Sequence, residues 1–406
     1  MSFNIAMSGL NAASTDLDVI SNNIANANTT GFKGSRAEFG DFFRVATYDL
    51  SNNATGGGTR TQRIAQQFAQ GTISNTGNAL DLAISGDGFF TMSDNGATVY
   101  SRAGSFTTDS SGYVVNSSGQ RLQVFPAISG TTSFNTGTLS DLQLSTDSNP
   151  PAATSKVSVA LNLPANAAQP ANTTFSASDA TSYNQTTSAT IYDSLGAPHT
   201  QTMYFVKDAT AGQWTVHTVV DGTEVGTGDT LAFDSSGTLT TPAGGQIALS
   251  TYTPANGGAA MNMTLDLSGA TQYGDTFTVG SVTQDGYATG ELSGIEISPS
   301  GVVQARYTNG QATQLGELAM ANFNNQQGLQ QLGNSTWAET YSSGQPSYGV
   351  AGTNHFGSIQ SGALEGSNVD LTEQLVDMMS AQRNYQANSQ VISTTDQLMQ
   401  TIMNLR

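Results

Sequence analysis

Residues 3–27 read FNIAMSGLNAASTDLDVISNNIANA, and the spacing of their apolar side chains decides the fold. Phe3, Ala6, Leu10, Ala13, Leu17, Ile20, Ile24 and Ala27 alternate steps of three and four, an a/d heptad seam on one helix. At about 1.5 Å of rise per residue that helix is ~37 Å long. The other end of the chain carries a matching pattern. Leu371, Met378, Tyr385, Ile392 and Met399 recur at heptad spacing, and Leu375, Val391, Leu398, Ile402 and Leu405 widen the stripe. Neither stripe can bury itself alone. The two termini are therefore expected to pack on each other or on copies of the same chain, which favours an assembly protein over a soluble enzyme.

The solvent side of the N-terminal helix is unusual. Ser8, Asn11, Ser14, Thr15, Asn22 and Asn26 stand where coiled coils place Glu and Lys, and only Asp16 and Asp18 are charged. Asn and Ser are poor helix formers in water. The helix should be weak alone and form fully only when packed. An uncharged outer face suits a helix surrounded by other subunits or lining a narrow passage. In the C-terminal stripe, Tyr385 reads as seam packing. Met378, Met379, Met399 and Met403 read as adaptable contacts at an interface that tolerates small shifts. Asn368, or Asp370 with Glu373 three residues on, supplies the capping signal for this helix.

Composition narrows the class. The chain has 406 residues, enough for two to four domains, and charged residues make up 10% against a usual ~25%. Gly, Ser, Thr and Asn fill the gap, as in β-rich extracellular proteins. The net charge of −18 disfavours nucleic acid, which rewards dense Lys and Arg. Residues 146–285 hold 11 acids against two bases, Lys156 and Lys207, and that stretch reads as solvent-facing. Residues 28–70 run the other way, with Lys33, Arg36, Arg44, Arg60 and Arg63 against Glu38, Asp41 and Asp49, and read as meeting acidic protein surface. There is no cysteine, hence no disulfide, thiolate chemistry or Cys-ligated metal. No secretory signal is visible, and no apolar run approaches the ~18–20 residues of a membrane span.

Along the chain, residues 28–70 read as a helix stop, an extended connector and a flexible loop around Gly56-Gly57-Gly58. From 71 onward the pattern is β, with Leu80, Leu82 and Ile84 alternating before Gly86-Asp87-Gly88. Asp109-Ser-Ser-Gly112, Asp234-Ser-Ser-Gly237 and Ser298-Pro-Ser-Gly301 share one hairpin grammar, a type I turn closed by a left-handed Gly. Val220-Asp221-Gly222-Thr223 is a further hairpin. Pro150-Pro151 and the Ala/Thr/Ser-rich stretch 152–190 mark a domain border, after which β patterning returns at 200–206. After Gly286 the strands resemble those of 80–145 again, so the middle domain is expected to be inserted into an outer one.

Catalytic chemistry is not evident. His199, His217 and His355 are scattered without a second ligand at metal spacing, and no Gly-x-Ser-x-Gly elbow occurs. Gly31-Phe32-Lys33-Gly34-Ser35 lacks the Gly-Lys-Ser and preceding strand of a phosphate loop. Turn capping accounts for Asp87, Asp94, Asp109, Asp221 and Asp234. No catalytic, cofactor or metal residue is assigned.

Several motifs together resemble the bacterial flagellar rod and hook protein family. They are Ser8-Gly-Leu-Asn-Ala-Ala13, Ser21-Asn-Asn-Ile-Ala-Asn26 and Asn28-Thr-Thr-Gly-Phe-Lys33 near the N-terminus. Ala83-Ile-Ser-Gly-Asp-Gly-Phe-Phe90 and Tyr100-Ser-Arg-Ala-Gly-Ser-Phe106 follow, and Ala381-Gln-Arg-Asn-Tyr385 with Ala387-Asn-Ser-Gln-Val-Ile392 lie in the last helix. The insert, with Ile191-Tyr-Asp-Ser-Leu-Gly196 and Tyr204-Phe-Val206, resembles that of the family's hook members.

The resemblance implies a mainly β fold with α-helical termini, nested as a multi-domain axial protein. The implied parts are a coiled-coil-like inner domain of residues 1–27 and 368–406, an extended connector of 28–70 and 355–367, a β-rich middle domain of 71–145 and 286–354, and an inserted β-rich outer domain of 146–285. It implies a non-enzymatic subunit of the hook, self-assembling into a curved tube that transmits torque as a flexible joint. The implied location is the extracellular flagellum, reached by type III export without a cleaved signal peptide. Implied partners are copies of itself, rod, hook-cap and hook–filament junction proteins and the export apparatus, with neither nucleic acid nor membrane insertion. Leu10, Leu17, Ile20, Ile24, Met378, Tyr385, Ile392 and Met399 are the expected subunit-packing residues. Asn22, Asn23, Asn26, Gly31, Phe32 and Lys33 are expected to order the connector against neighbouring subunits. A distal rod protein with an unusual insert, and a secreted β-rich adhesin or carbohydrate-active protein, stay open as alternatives.

Overall fold

The computed structural model describes residues 2–42, 56–128, 131–144, 147–353 and 355–404. Expectations that fall on Arg44, Asp49, Ser145, Thr146, Asn354, Leu405 and Arg406, and on the side chain of Ile402, lie outside the described residues. The chain divides into two compact units. Unit 1 comprises Met1–Ser145, Gly294–Arg306 and Ala312–Arg406, and unit 2 comprises Thr146–Ser293 and Tyr307–Gln311.

Unit 1 begins with helix α1 (Ser2–Ala25) and ends with helix α2 (Leu371–Asn404). The α1 helix stops two residues short of Ala27. Asn26 turns its amide back onto the Asn22 carbonyl at 3.0 Å and accepts a bond from the Thr29 hydroxyl at 3.1 Å. Of the two capping candidates for α2, Asp370 is the one used, its Oδ1 accepting the Thr372 N–H at 2.7 Å. Asn368 instead accepts the Gly34 N–H at 2.8 Å and donates to the carbonyls of Gln67 and Ala69.

The connector expectation requires correction. Within 28–70, Ser35–Asp41 (β1) and Thr59–Gln66 (β2) form an antiparallel pair of strands, in the register Ser35 to Gln66 through Asp41 to Thr59. Three basic residues of this segment, Lys33, Arg36 and Arg63, find their acids inside the chain. Arg36 and Arg63 both bind the exposed side of Glu38, a pairing worth little in stability, and Lys33 is fully buried on Glu365.

Beyond the hairpin, unit 1 is a sheet that runs Ala312–Leu318, Arg121–Pro126, Phe89–Asp94, Ala97–Ser101 and Thr336–Ala338 in space. Strand alternation splits Phe89 from Phe90. Phe90 enters a core with Leu82, Ile84, Met92, Leu122 and Leu318, whereas Phe89 joins Tyr100, Phe323 and Trp337 on the other face. Phe68 and Phe89 each meet the Trp337 ring edge-on at 5.7 Å.

Unit 2 is a β-sandwich. One sheet centres on Lys156–Pro164, which pairs in parallel with Thr264–Asp266 and Thr271–Tyr273 and antiparallel with Thr278–Gln284. The other runs Gln185–Tyr192, Pro198–Lys207, Gln213–Val220, Asp229–Phe233 and Leu239–Thr241. Val157, Val159, Leu161 and Leu163 from the first sheet and Phe205, Trp214, Val216 and Leu231 from the second build one core. This also corrects the reading of 152–190 as a border, because it contains two strands of the sandwich.

The shared hairpin grammar takes one geometry in three places. The N–H of Gly112, Gly237 and Gly301 bonds the carbonyl of Asp109, Asp234 and Ser298 at 3.0, 3.0 and 2.8 Å, with φ of +81°, +80° and +86°. The first residue's side chain closes the turn, Asp109 and Asp234 on two backbone N–H groups each and Ser298 on one.

Candidate subunit-packing surface

The two terminal helices run antiparallel, fixed by two contacts. The Asn23 amide donates to Gln374 Oε1 at 3.0 Å, and Gly9 lies against the Asn388 side chain. A Cβ placed on Gly9 would stand 2.7 Å from Asn388 Oδ1, so a larger residue there requires the Asn388 side chain to swing away. Gly9, Asp16 and Asn23 on α1 thus face Gln374, Ala381 and Asn388 on α2, both triplets at heptad spacing. Among the described side chains of α2, Ala381 is the buried one. Asp16 also senses Asp377; burial, helped by that neighbouring carboxylate, pushes its acid dissociation above the ordinary range.

On α1 this line is one residue away from the expected seam, and on α2 it falls midway between the expected heptad positions. Among the expected packing residues only Ile20 is buried within the chain; Leu10, Leu17, Ile24, Met378 and Ile392 are half-buried, and Tyr385 and Met399 are exposed. The expected Phe3 is also exposed, while Ala12 and Val19, outside the expected seam, are buried. Small and polar side chains make the contact within one chain, and large apolar ones flank it. On its hairpin side α1 is held by Ser8, whose hydroxyl accepts the Thr59 N–H at 3.1 Å.

Helix α2 has 34 residues against 24 in α1, or about 51 Å against about 36 Å. The register puts the start of α1 level with Thr395, so the last turns of α2 have no α1 residue opposite them. There Leu398, Met399 and Met403 are 58–69% exposed. Leu371, Leu375, Val376, Met379 and Val391 add to the open apolar surface along α2.

The connector motif is bound inside its own chain. Asn23 is a buried knot: its amide donates to the Ser35 carbonyl at 2.7 Å as well as to Gln374, and its Oδ1 accepts the Ser35 N–H at 2.9 Å. Asn26 ends α1, and Asn22 has an exposed side chain. Gly31 donates its N–H to the Glu365 carbonyl at 2.8 Å, Phe32 is buried, and Lys33 reaches Glu365. Gly31, Phe32 and Lys33 are therefore spent on contacts within unit 1, not on open surface for a neighbour. Sequence reasoning assigned no role to Glu365 or Arg102, which complete this arrangement; Arg102 lies in the Tyr100–Phe106 motif, and no local pattern marks Glu365.

The histidines have local partners. His199 lies between Asp221 at 2.5 Å and Asp193 at 3.4 Å, and His217 binds Glu224 at 2.7 Å while stacking on Phe175. His355 is exposed. Among the described residues no group of three or more His, Cys, Asp or Glu side chains could hold a metal ion, and no helix is long and apolar enough to cross a membrane.

Family models match in four stretches. The flagella basal body rod protein model matches residues 3–33, the flagellar hook protein FlgE/F/G D1 domain 83–170, the flagellar basal body protein FlaE D2 domain 162–287 and the flagellar basal body rod FlgEFG protein C-terminal model 360–405. The flagellar hook protein FlgE of Salmonella typhimurium is 40% identical over 422 residues, covering 100% of both chains. The chain belongs to the flagellar hook protein family. The Escherichia coli hook protein FlgE is 41% identical over all of both chains, and that of Borreliella burgdorferi is 34% identical over 98% of each. The crystal structure of Helicobacter pylori flagellar hook protein FlgE2 shares the fold at a TM-score of 0.52 and 15% identity, covering 71% of this chain and 99% of that one.

Full-length matching to hook proteins decides for a structural subunit of the hook over the rod and adhesin alternatives. The mainly β fold with terminal helices is that of this family, and the flagellum is its location.

Proposed function

We propose that the chain polymerises with copies of itself through its terminal helices, forming a curved tube that bends while transmitting torque. One observation carries this reading. The helix pair meets along Gly9, Asp16, Asn23 and Ala381, and leaves Leu10, Leu17, Ile24, Met378, Tyr385, Ile392 and Met399 wholly or partly uncovered. Apolar stripes of that length in water are costly, and helices of neighbouring copies would cover them. The polar, Gly-rich strands of both units would supply weaker contacts that can slide as the tube bends.

In this reading residues 1–27 and 368–406 form the inner layer, 28–70 and 355–367 connect, 71–145 and 286–354 form the middle layer, and 146–285 faces outward. The acidity of that last stretch suits a solvent-facing layer. Rod, hook-cap and hook–filament junction proteins would be its neighbours in the flagellum. The flagellar type III apparatus would export it without a cleaved signal, and no enzymatic activity is assigned. Electron microscopy of the concentrated, purified protein tests the reading: curved tubes are expected, and straight tubes, or monomers at every concentration, would contradict it.

A further inference from the structure

One buried carboxylate in unit 1 serves two cations from distant parts of the chain. Glu365, whose side chain is fully buried, accepts Lys33 Nζ at 2.7 Å and the Gly71 N–H at 2.8 Å on Oε1. Its Oε2 faces Arg102 Nη1 at 3.4 Å. Lys33 Nζ also donates to the Ala69 carbonyl at 2.8 Å. Arg102 is buried with its Nε unpartnered, its guanidinium 5.4 Å from the centre of the Phe89 ring, and Asp87 is the next charge acting on it. The backbone closes the same junction. Gly31 sits at φ +66°, where a Cβ would strike the Arg102–Ala103 backbone, and Glu365 lies opposite Ile73 in a short strand pair.

This arrangement is expensive. Burial holds both Lys33 and Arg102 below their ordinary basic ranges, only partly offset by Glu365. Buried ion pairs are often no more stabilising than apolar side chains of the same size, so stability alone does not account for it. What such a cluster does supply is selectivity. If any one of the three segments slips, at least one buried charge loses its counter-ion.

We propose that Glu365 is a positioning residue for assembly. It locks the segment leaving α1, the segment entering α2 and the β core of unit 1 into one arrangement, so that the helix pair meets other copies at one fixed angle. This rests on the polymer reading above.

Hydrogen exchange by mass spectrometry on the full-length protein, with electron microscopy of the polymer, tests it in wild type, Glu365→Gln and Lys33→Met. Lys33→Met leaves a neutral Arg102–Glu365 pair and should fold. In both variants exchange at residues 28–35 and 366–371 should rise about tenfold or more, with residues 82–94 and 121–126 unchanged. Tubes of either variant should show more than one helical form. A merely structural contribution would speed exchange in both regions together through global unfolding; that result, or wild-type exchange at 28–35 and 366–371, overturns the proposal. Should Glu365→Gln fail to fold, Lys33→Met decides alone. Absence of tubes from the wild type would overturn the polymer reading instead, while exchange in the monomer still decides whether the lock exists.

Discussion

Unit 2 and the terminal helices treat apolar surface in opposite ways. In unit 2 the sandwich seals Phe205, Trp214, Leu231 and Leu265 to 0% exposure between two sheets of the same chain. Among the described side chains of α2, Ala381 is buried and the large apolar ones are half-covered or open. The first region finishes its folding within the chain. The second stops short, and the difference separates residues that serve stability from residues left for assembly. Each of the following changes should strike one side of that division and spare the other.

The largest effect is expected from Leu17→Asp. A carboxylate on the half-covered stripe should abolish tube formation at every concentration tested. The fluorescence melting transitions should keep their midpoints, since Trp214 reports on unit 2 and Trp337 on unit 1. Phe205→Ala should do the reverse. Removing a fully buried ring from the sandwich should cost about 3–5 kcal/mol in denaturant unfolding read at Trp214, while tubes still form where the protein remains folded. Asn23→Ala should be milder. It strips the Ser35 N–H and carbonyl and Gln374 of their partner at a part-buried site, at a cost of about 1–3 kcal/mol, seen as faster exchange around residues 20–25 and 33–37.

Acid should divide the two regions most gently. Asp266 is held down to about 2 by Lys156 and by bonds from Ser268. Burial would raise Asp193, but bonds from Asn256, the Ala197 N–H, His199 and the Leu195 N–H outweigh it and hold it at about 2. A depressed carboxylate contributes stability that is fully present above its unfolded value of 3.8 and is lost as pH falls towards 2. Asp16 has the opposite sign: its dissociation is raised by burial and by Asp377, so acidification from neutral pH favours the helix pair. Melting at Trp214 against pH, beside exchange in α1, should show unit 2 weakening below pH 3.8 while the α1–α2 contact tightens.

These contrasts follow how far each feature was legible in the sequence. The turns at Asp109, Asp234 and Ser298 were legible because five consecutive residues contain the whole hydrogen-bond pattern. The terminal helices were legible from period, but the line along which they meet was not. Heptad counting follows large apolar residues, and the contact within one chain uses Gly9, Asn23, Gln374 and Ala381. The strand Lys156–Pro164 alternates buried and half-buried residues after its first position, yet its Ala/Thr/Ser-rich surroundings read as a border. The cluster of Lys33, Arg102 and Glu365 was beyond reach, because its members lie as far as 332 positions apart and only the folded chain brings them together.

Hydrogen exchange along α2 measured in dilute monomer and in assembled polymer tests the central claim most directly. The account predicts rapid exchange over residues 390–404 in the monomer and strong protection of the same amides in the polymer. Full protection of both terminal helices in isolated, dilute molecules would contradict it.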